Sequence, residues 1–269
     1  MVHRPARVPA AVLTGLVVAF GPATAVGLAD PPAAVEAVSA DRSLQLTGAP
    51  NARDIGGYRT TDGRTVRTGI AFRTDQLTNL TPADLAELSR LGVREVDDLR
   101  TVYERALAPD RIPAGARSNW YDMIGAAPLP ELMSTLAGGT DLYRAFITAP
   151  GASQAVAAVL RDIVETGQDP AGGAVVFHCT AGKDRTGWVA AVLLTVLGVD
   201  RDTVTEDFLL SNHYRNAAPG DGLAGVQREW LDSAFDQVRV SYGSFDRYVS
   251  EGLGLTAAEV EALKARMLA

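Results

Sequence analysis

Residues 175–187 read Val-Val-Phe-His-Cys-Thr-Ala-Gly-Lys-Asp-Arg-Thr-Gly, and this stretch decides the fold. The apolar run at its start has the composition of a strand that is covered on both faces. Residues 187–197 are apolar apart from one threonine and are followed by Gly198, a residue that commonly ends a helix. The stretch therefore predicts a buried strand over residues 174–177, a short loop, and a helix that begins near Arg185.

A loop that leads into a helix N-terminus points several backbone N–H groups at one place, backed by the positive end of the helix dipole. Such a place suits a phosphate dianion. Cys179 begins the loop and Arg185 closes it, so both can face the same centre. We expect the N–H groups and the guanidinium to lower the pKa of the Cys179 thiol, and Arg185 to place two parallel hydrogen bonds on phosphate oxygens. A single cysteine after a strand is usually a small buried hydrophobic residue. The combination of Cys179, the loop and Arg185 favours a catalytic role instead.

Residues 178–187, His-Cys-x-x-Gly-Lys-Asp-Arg-Thr-Gly, resemble the signature loop of the protein tyrosine phosphatase superfamily. Their form is similar to that of the secreted bacterial tyrosine and phosphoinositide phosphatases. The resemblance implies that Cys179 is the nucleophile and that Arg185 binds the transferred phosphoryl group. It also implies that the phosphate is held by Thr180, Ala181, Gly182, Lys183, Asp184, Arg185 and Thr186.

Three further segments match the same branch in order. Residues 51–58, Asn-Ala-Arg-Asp-Ile-Gly-Gly-Tyr, are similar to its Asn-x-Arg-Asp-x-Gly-Gly-Tyr motif, although a tight turn with an Arg53–Asp54 ion pair would explain them equally. Residues 73–77 (Arg-Thr-x-x-Leu) and 207–212 (Asp-Phe-Leu-Leu-Ser-Asn) are also similar. The resemblance therefore covers most of the chain.

A phosphatase of this kind needs a general acid, and Asp98 is the preferred candidate. It ends a predicted strand, where the functional edge of an α/β sheet lies. It also matches the aspartate of the Asp-Leu-Arg motif of the family. The alternative is that Asp98 only pairs with Arg100 or Arg105. Asp184, within the loop, and Asp122, after a later predicted strand, are the rival acids.

Composition excludes several classes of function. The chain has 269 residues, 47% of them hydrophobic and 21% charged, as expected for a globular protein with a sizeable core. A net charge of −7 argues against a general nucleic-acid binder. Three histidines and one cysteine leave no Cys/His cluster for zinc and no intrachain disulfide. We expect neither a metal nor another cofactor, and the oligomeric state is left open.

Residues 1–29 have the pattern of a secretory signal peptide. A basic start precedes an apolar stretch over residues 8–20, and Ala23-Thr24-Ala25 offers small residues for cleavage. The alternative is a membrane anchor, but this apolar stretch would span only about 20 Å of a hydrocarbon core about 30 Å thick. We therefore predict a secreted protein without a stable membrane anchor, a linker over residues 30–42, and a phosphatase domain over residues 43–269.

The order of predicted elements favours an α/β domain with a mostly parallel central sheet flanked by helices and a helical C-terminal region. Strands are predicted at 70–73, 93–99, 120–124 and 174–177. Helices are predicted from Pro82, capped by Thr81, over 156–164 and 187–197, and from 223 onward, with a capping box at Thr256 and Glu259. Residues 130–147 fit two short helices that form a lid over the site, or a surface hairpin.

The expected activity is cysteine-dependent hydrolysis of phosphomonoesters: phosphotyrosine, and also phosphoserine, phosphothreonine and phosphoinositides. Lys183 adds a second cation beside the loop, which suits substrates with extra phosphates. An arsenate reductase is a weaker alternative because it commonly needs a resolving thiol, and Cys179 is the only cysteine. A pseudophosphatase is also a weaker alternative, because such a protein usually lacks the cysteine, the arginine or the acid, and this chain has both Cys179 and Arg185. Phosphorylated proteins or phosphoinositides are therefore the expected partners.

Overall fold

The structure, a computed structural model, describes residues 42–125, 139–168 and 172–269. The predicted signal peptide and nearly all of the predicted linker lie outside these residues. The first half of the predicted lid, up to residue 138, also lies outside them, so the lid stays a prediction.

Five strands form one sheet, in the order β1-β2-β5-β3-β4. β1 is antiparallel to β2, and the other neighbours are parallel. The strands are β1 (Arg53–Asp54), β2 (Ala71–Thr74), β3 (Val93–Asp98), β4 (Arg117–Trp120) and β5 (Ala174–His178). The predicted α/β class and the mostly parallel sheet are confirmed.

β5 lies in the middle of the sheet, and every one of its residues is buried. Val175 and Phe177 belong to one hydrophobic cluster, whereas Ala174 and Val176 belong to another. Because successive side chains of a strand point to opposite faces, these clusters lie on the two sides of the sheet. The strand predicted from the apolar run is confirmed.

The strand predicted over residues 120–124 is wrong, since β4 ends at Trp120. Just after it, the Asp122 carboxylate accepts hydrogen bonds from the backbone N–H groups of Ile124 (3.1 Å) and Gly125 (2.6 Å). An aspartate that bonds the backbone two and three residues ahead closes a turn and removes those groups from a sheet ladder.

The helices flank the sheet and fill the C-terminal part of the chain. They are α1 (Pro82–Arg90), α2 (Val102–Leu107), α3 (Thr140–Thr148), α4 (Ala152–Gln168), α5 (Arg185–Val196), α6 (Arg201–Tyr214), α7 (Arg228–Tyr242), α8 (Phe245–Arg247) and α9 (Ala257–Met267). A π-helical turn over Tyr248–Gly252 follows α8. The predicted helical C-terminal region is confirmed. Among the described residues, no helix combines the length and apolar character that crossing a membrane requires.

Three helices begin with a complete capping box, in which a threonine and an acid satisfy each other's backbone N–H groups. The predicted caps Thr81, at α1, and Thr256, at α9, are confirmed. The third box joins Thr101 and Glu104 at the start of α2, and the sequence analysis did not single it out. It matters because Glu104 also reaches the functional site.

Candidate active site

The loop that the sequence predicts to be catalytic runs from Cys179 to Arg185, between the end of β5 and the start of α5. It lies at the carboxyl edge of the parallel strands, where α/β proteins place their sites. In the sheet register, Asp98 of β3 is paired with His178 of β5. The fold therefore brings Cys179, Arg185 and Asp98 to the same edge of the sheet, as the sequence predicts.

The backbone of the loop is held from outside through its carbonyl oxygens. Three consecutive carbonyls accept hydrogen bonds: Thr180 from Gln76 N–H (3.1 Å), Ala181 from Asn51 Nδ2 (3.1 Å), and Gly182 from Arg73 Nη2 (3.0 Å). In a trans peptide the C=O and N–H groups point in opposite directions. Within the described part of the chain, no protein acceptor bonds the N–H groups of residues 180–184. The N–H groups of residues 181–183 therefore point away from these three partners and form a row of donors that can bind an oxyanion.

Gly182 is required by the close packing of the loop on the end of β2. Its φ is +64°, and a Cβ there would lie 2.5 Å from the carbonyl oxygen of Thr74. A residue with a side chain would both strain the backbone and clash with β2.

Cys179 is 1% exposed and starts the row of donors. Behind it, the fully buried His178 ring has Nδ1 3.1 Å from the Cys179 carbonyl oxygen and Nε2 3.2 Å from Asp110 Oδ2. The imidazole therefore lies behind the loop, which agrees with a supporting role.

Arg185 is held by Glu104, a residue that the sequence analysis missed. Its Nη1 and Nη2 donate to the two oxygens of that carboxylate at 2.7 and 2.6 Å. Glu104 also accepts from the Thr180 hydroxyl. Burial opposes both charges, but the paired hydrogen bonds raise the pKa of Arg185 and lower that of Glu104. The Nη1–Nη2 edge of the guanidinium thus meets Glu104, which leaves the Nε–Nη2 edge as the side that can form two bonds to a phosphate.

Asp98 is fully buried between two guanidinium groups. Its oxygens accept from Arg100 Nε (2.9 Å) and Nη2 (2.8 Å) and from Arg105 Nε (3.0 Å). Both ion pairs of the alternative interpretation are therefore present. The role of Asp98 as general acid stays a prediction.

The two rival acids have different surroundings. Asp184 accepts from the Tyr143 hydroxyl (3.0 Å) and pairs with Lys183 Nζ (3.1 Å). Among the described residues, Asp122 accepts hydrogen bonds from the backbone N–H groups of its own turn, and burial raises its pKa above the ordinary value. A raised pKa is what a carboxyl group needs in order to donate a proton near neutral pH.

Lys183 belongs to the loop, and its residue is 6% exposed. Besides Asp184, its ammonium contacts the Gly222 carbonyl oxygen (3.3 Å) and lies 5.4 Å from the centre of the Trp230 ring. The predicted second cation is present at this edge, but a neighbouring carboxylate balances its charge.

One group of described residues has the composition of a metal site: Asp98, Asp110 and His178, whose ligand atoms lie within 4.8 Å of one another. Arg100 Nη2 already donates to both carboxylates, at 2.8 and 2.6 Å. A cation placed there would have to displace this guanidinium, so the group fits an ion-pair network better than a metal centre.

The model of the tyrosine phosphatase family matches residues 44–269 of the chain. The chain belongs to the tyrosine phosphatase family. The triple specificity protein phosphatase PtpB of Mycobacterium tuberculosis is 29% identical over 83% of this chain and 98% of PtpB. A putative tyrosine-protein phosphatase of Cupriavidus necator is 30% identical over 84% of this chain and 90% of its own length.

Among solved structures, the crystal structure of TpbA from P. aeruginosa is similar to the structure of this chain. The TM-score is 0.37 and the identity 17%, over 75% of this chain and 88% of TpbA.

Proposed function

We propose that this protein hydrolyses phosphotyrosine in proteins through a cysteinyl-phosphate intermediate. The observation that carries the proposal is the loop of residues 180–184, whose carbonyl oxygens at 180–182 are bonded from outside while the N–H groups of 181–183 point the other way, with Cys179 at one end and Arg185 at the other. Membership of the tyrosine phosphatase family supports the same reaction.

In the proposed reaction, Cys179 Sγ attacks phosphorus, the P–O bond to the leaving group breaks, and the leaving oxygen takes a proton from an acid. Water then attacks the intermediate, the S–P bond breaks, and inorganic phosphate leaves. The loop N–H groups, with residues 180–186 around the phosphate, and the Nε–Nη2 edge of Arg185 stabilise the charge that spreads over the phosphoryl oxygens. Thr186 Oγ1 is buried without a hydrogen-bond partner among the described residues, which supports a bond from this hydroxyl to the departing thiolate.

We propose Asp98 as the acid because of its motif and its place on the strand next to β5. To donate a proton, Asp98 would have to loosen at least one of its contacts with Arg100 and Arg105. Burial raises the pKa of Asp122, which makes that residue a rival for the role.

Cys179→Ser tests the proposal directly. The variant should lose turnover of a phosphotyrosine peptide yet still bind vanadate or phosphate, since the N–H row and Arg185 remain. Retention of even a hundredth of the wild-type rate would remove Cys179 from the mechanism. Arg185→Lys should also be nearly inactive because a point charge cannot form the paired bonds. A near-normal rate in this second variant would make Arg185 structural.

A second substrate class is phosphorylated serine, threonine and phosphoinositides. The proposal rests on the second cation of the loop, Lys183, and on the similarity to PtpB of Mycobacterium tuberculosis, a triple specificity protein phosphatase. Lys183→Ala should reduce phosphoinositide hydrolysis about tenfold to a hundredfold more than phosphotyrosine hydrolysis, the size of a lost charge-assisted contact. Equal losses on the two substrates would mean that Lys183 only shapes the loop.

We also propose export, with removal of residues 1–29, on the pattern of the N-terminal sequence alone. Expression of the full chain in a bacterial host and N-terminal sequencing of the protein from the medium or periplasm test this. An intact N-terminus on protein confined to the cytoplasm would contradict it.

A further inference from the structure

Helix α2 presents an apolar face that packs against nothing in the described structure. None of its six residues is buried. Val102 is 49%, Tyr103 67% and Leu107 88% exposed, and Ala106 is also exposed. At 100° per residue, these four side chains cover one continuous arc of about 140°. We call them the α2 apolar face.

The α2 apolar face is next to the catalytic loop. Glu104, on the opposite side of the same helix, bonds both Arg185 and the exposed Thr180 hydroxyl of the loop. Arg105 of the same helix lies over the ring of Trp120, which is 45% exposed, at 4.8 Å. A cluster of aromatic and aliphatic side chains without a partner marks an interaction site more often than a neutral surface.

We propose that the α2 apolar face binds apolar side chains of the phosphoprotein substrate that lie a few residues from the phosphorylated one. The proposal rests on the proposed function, because it makes α2 part of substrate recognition. Because Glu104 on the other side of α2 bonds the loop, the face lies about one helix diameter, roughly 10–12 Å, from it. An extended peptide covers that distance in about three or four residues, so a segment anchored by its phosphate in the loop reaches this face.

Charge favours a polypeptide over a lipid surface as the occupant. A peripheral helix that binds an anionic membrane carries lysines and arginines on its polar face. On α2 the basic residue is Arg105, and its charge is paired with Asp98. The chain as a whole has a net charge of −7, which opposes approach to anionic lipid.

The test compares two fluorescein-labelled nonapeptides with a central phosphotyrosine. One has leucine at the second and third positions on both sides, and the other has serine there. Binding to the full chain carrying Cys179→Ser is measured by fluorescence polarisation, so the result does not depend on turnover. We expect the leucine peptide to bind about tenfold more tightly, which corresponds to about 1.4 kcal/mol.

In the same background, Tyr103→Ser with Leu107→Ser should abolish the preference for leucine. The matched control is Val240→Ser, which removes another exposed apolar side chain (74%) on α7 and should keep the preference. Equal affinities for the two peptides before any change on α2, or a preference that survives the double substitution, would overturn the proposal.

Two other possible occupants of the α2 apolar face are tested with the same double substitution. Co-sedimentation with phosphatidylcholine vesicles that depends on Tyr103 and Leu107, without a peptide preference, would assign the face to a membrane and overturn the proposal. Self-association that the double substitution abolishes, again without a peptide preference, would assign it to a second copy and do the same.

Release of inorganic phosphate from both peptides by the unsubstituted chain tests the proposed function separately. Absence of turnover together with a leucine preference in binding would reject the enzyme and support the docking face. Turnover of both peptides without any binding preference would support the enzyme and reject the docking face.

Discussion

Asp98 and Asp207 flank the loop of residues 179–185, and each is buried between two arginines. Asp98 lies between Arg100 and Arg105, and Asp207 lies between Arg53 (3.4 Å) and Arg73 (2.6 Å). The sequence predicts proton transfer for Asp98 and no chemistry for Asp207. A contact pattern alone therefore does not separate a catalytic carboxylate from a structural one.

The two sites differ in the further hydrogen bonds that their arginines donate. Arg73 donates to the Gly182 carbonyl oxygen and to Asp207, so Asp207 supports the loop backbone through Arg73, two hydrogen bonds away. Arg100 instead donates to Asp110, which lies against His178 behind the loop. Asp98 is therefore connected to the loop through a longer chain of contacts than Asp207.

The largest expected effect is on the rate of hydrolysis, and its dependence on the leaving group should differ between the two aspartates. If Asp98 is the acid, Asp98→Asn should slow phosphotyrosine hydrolysis by about 10²–10⁴-fold and spare an activated aryl phosphate much more. Any rate loss in Asp207→Asn should be equal on both substrates, because Asp207 acts only through the shape of the loop. Steady-state kinetics on the two substrates measure this.

Asp122→Asn and Asp184→Asn are the controls for the acid. Selective loss on the poor leaving group in either one, with a uniform loss in Asp98→Asn, would move the role away from Asp98. In that case Asp98 would join Asp207 as a structural carboxylate.

The next effect concerns stability. Asp207→Asn leaves Arg53 and Arg73 buried without a charge partner, and the free energy of unfolding should fall by about 3–5 kcal/mol. Although burial opposes ionisation, the two arginines hold the pKa of Asp207 well below its usual range. Its contribution is thus present above the unfolded pKa of about 3.9 and is lost as the pH falls. Urea unfolding of both proteins should show a gap at pH 6 that narrows towards pH 3; a gap below about 1 kcal/mol at pH 6 would contradict the prediction.

A smaller effect with the opposite sign is expected one residue before Asp98. Asp97 is fully buried on the other face of β3, where its neighbours are Asp162, Glu95 and Asn119, which donates to it (3.0 Å). Burial and the nearby carboxylates raise the pKa of Asp97 well above the usual value.

A group with a raised folded pKa stabilises the protein at low pH, and this contribution is lost as the pH rises through that pKa. Asp97→Asn should therefore become more stable relative to the unsubstituted protein as the pH rises from 5 to 8. The measurement is thermal or urea unfolding at both pH values. A pH dependence identical to that of the unsubstituted protein would show that Asp97 titrates normally.

The smallest expected effect is that of a chelator. Arg100 already occupies the carboxylates of Asp98 and Asp110, and the proposed reaction uses N–H groups and a guanidinium to stabilise charge. EDTA should leave turnover unchanged. If EDTA inhibits turnover and a single divalent metal restores it, the group of Asp98, Asp110 and His178 is a metal site. The Asp98 region would then differ in kind from the Asp207 region.

The sequence by itself determined the strand, loop and helix over residues 174–197, because their apolar pattern and the glycine after them are local properties of consecutive residues. The capping boxes at Thr81 and Thr256 were predictable for the same reason. The order of the motifs along the chain was sufficient to indicate the family and to place Cys179 and Arg185 at the ends of one loop.

Only the tertiary structure decided which charges meet around that loop. Glu104 reaches Arg185 across 81 positions of sequence, and Asp207 reaches Arg73 across 134. The ion pair that the sequence suggested between Arg53 and Asp54 does not form; Arg53 bonds Asp207, while Asp54 accepts from the N–H groups of Gly56 and Gly69. Such partners depend on the order of the strands in the sheet. A buried charge takes whichever opposite charge the packed sheet brings within reach, because leaving it unpaired costs several kcal/mol.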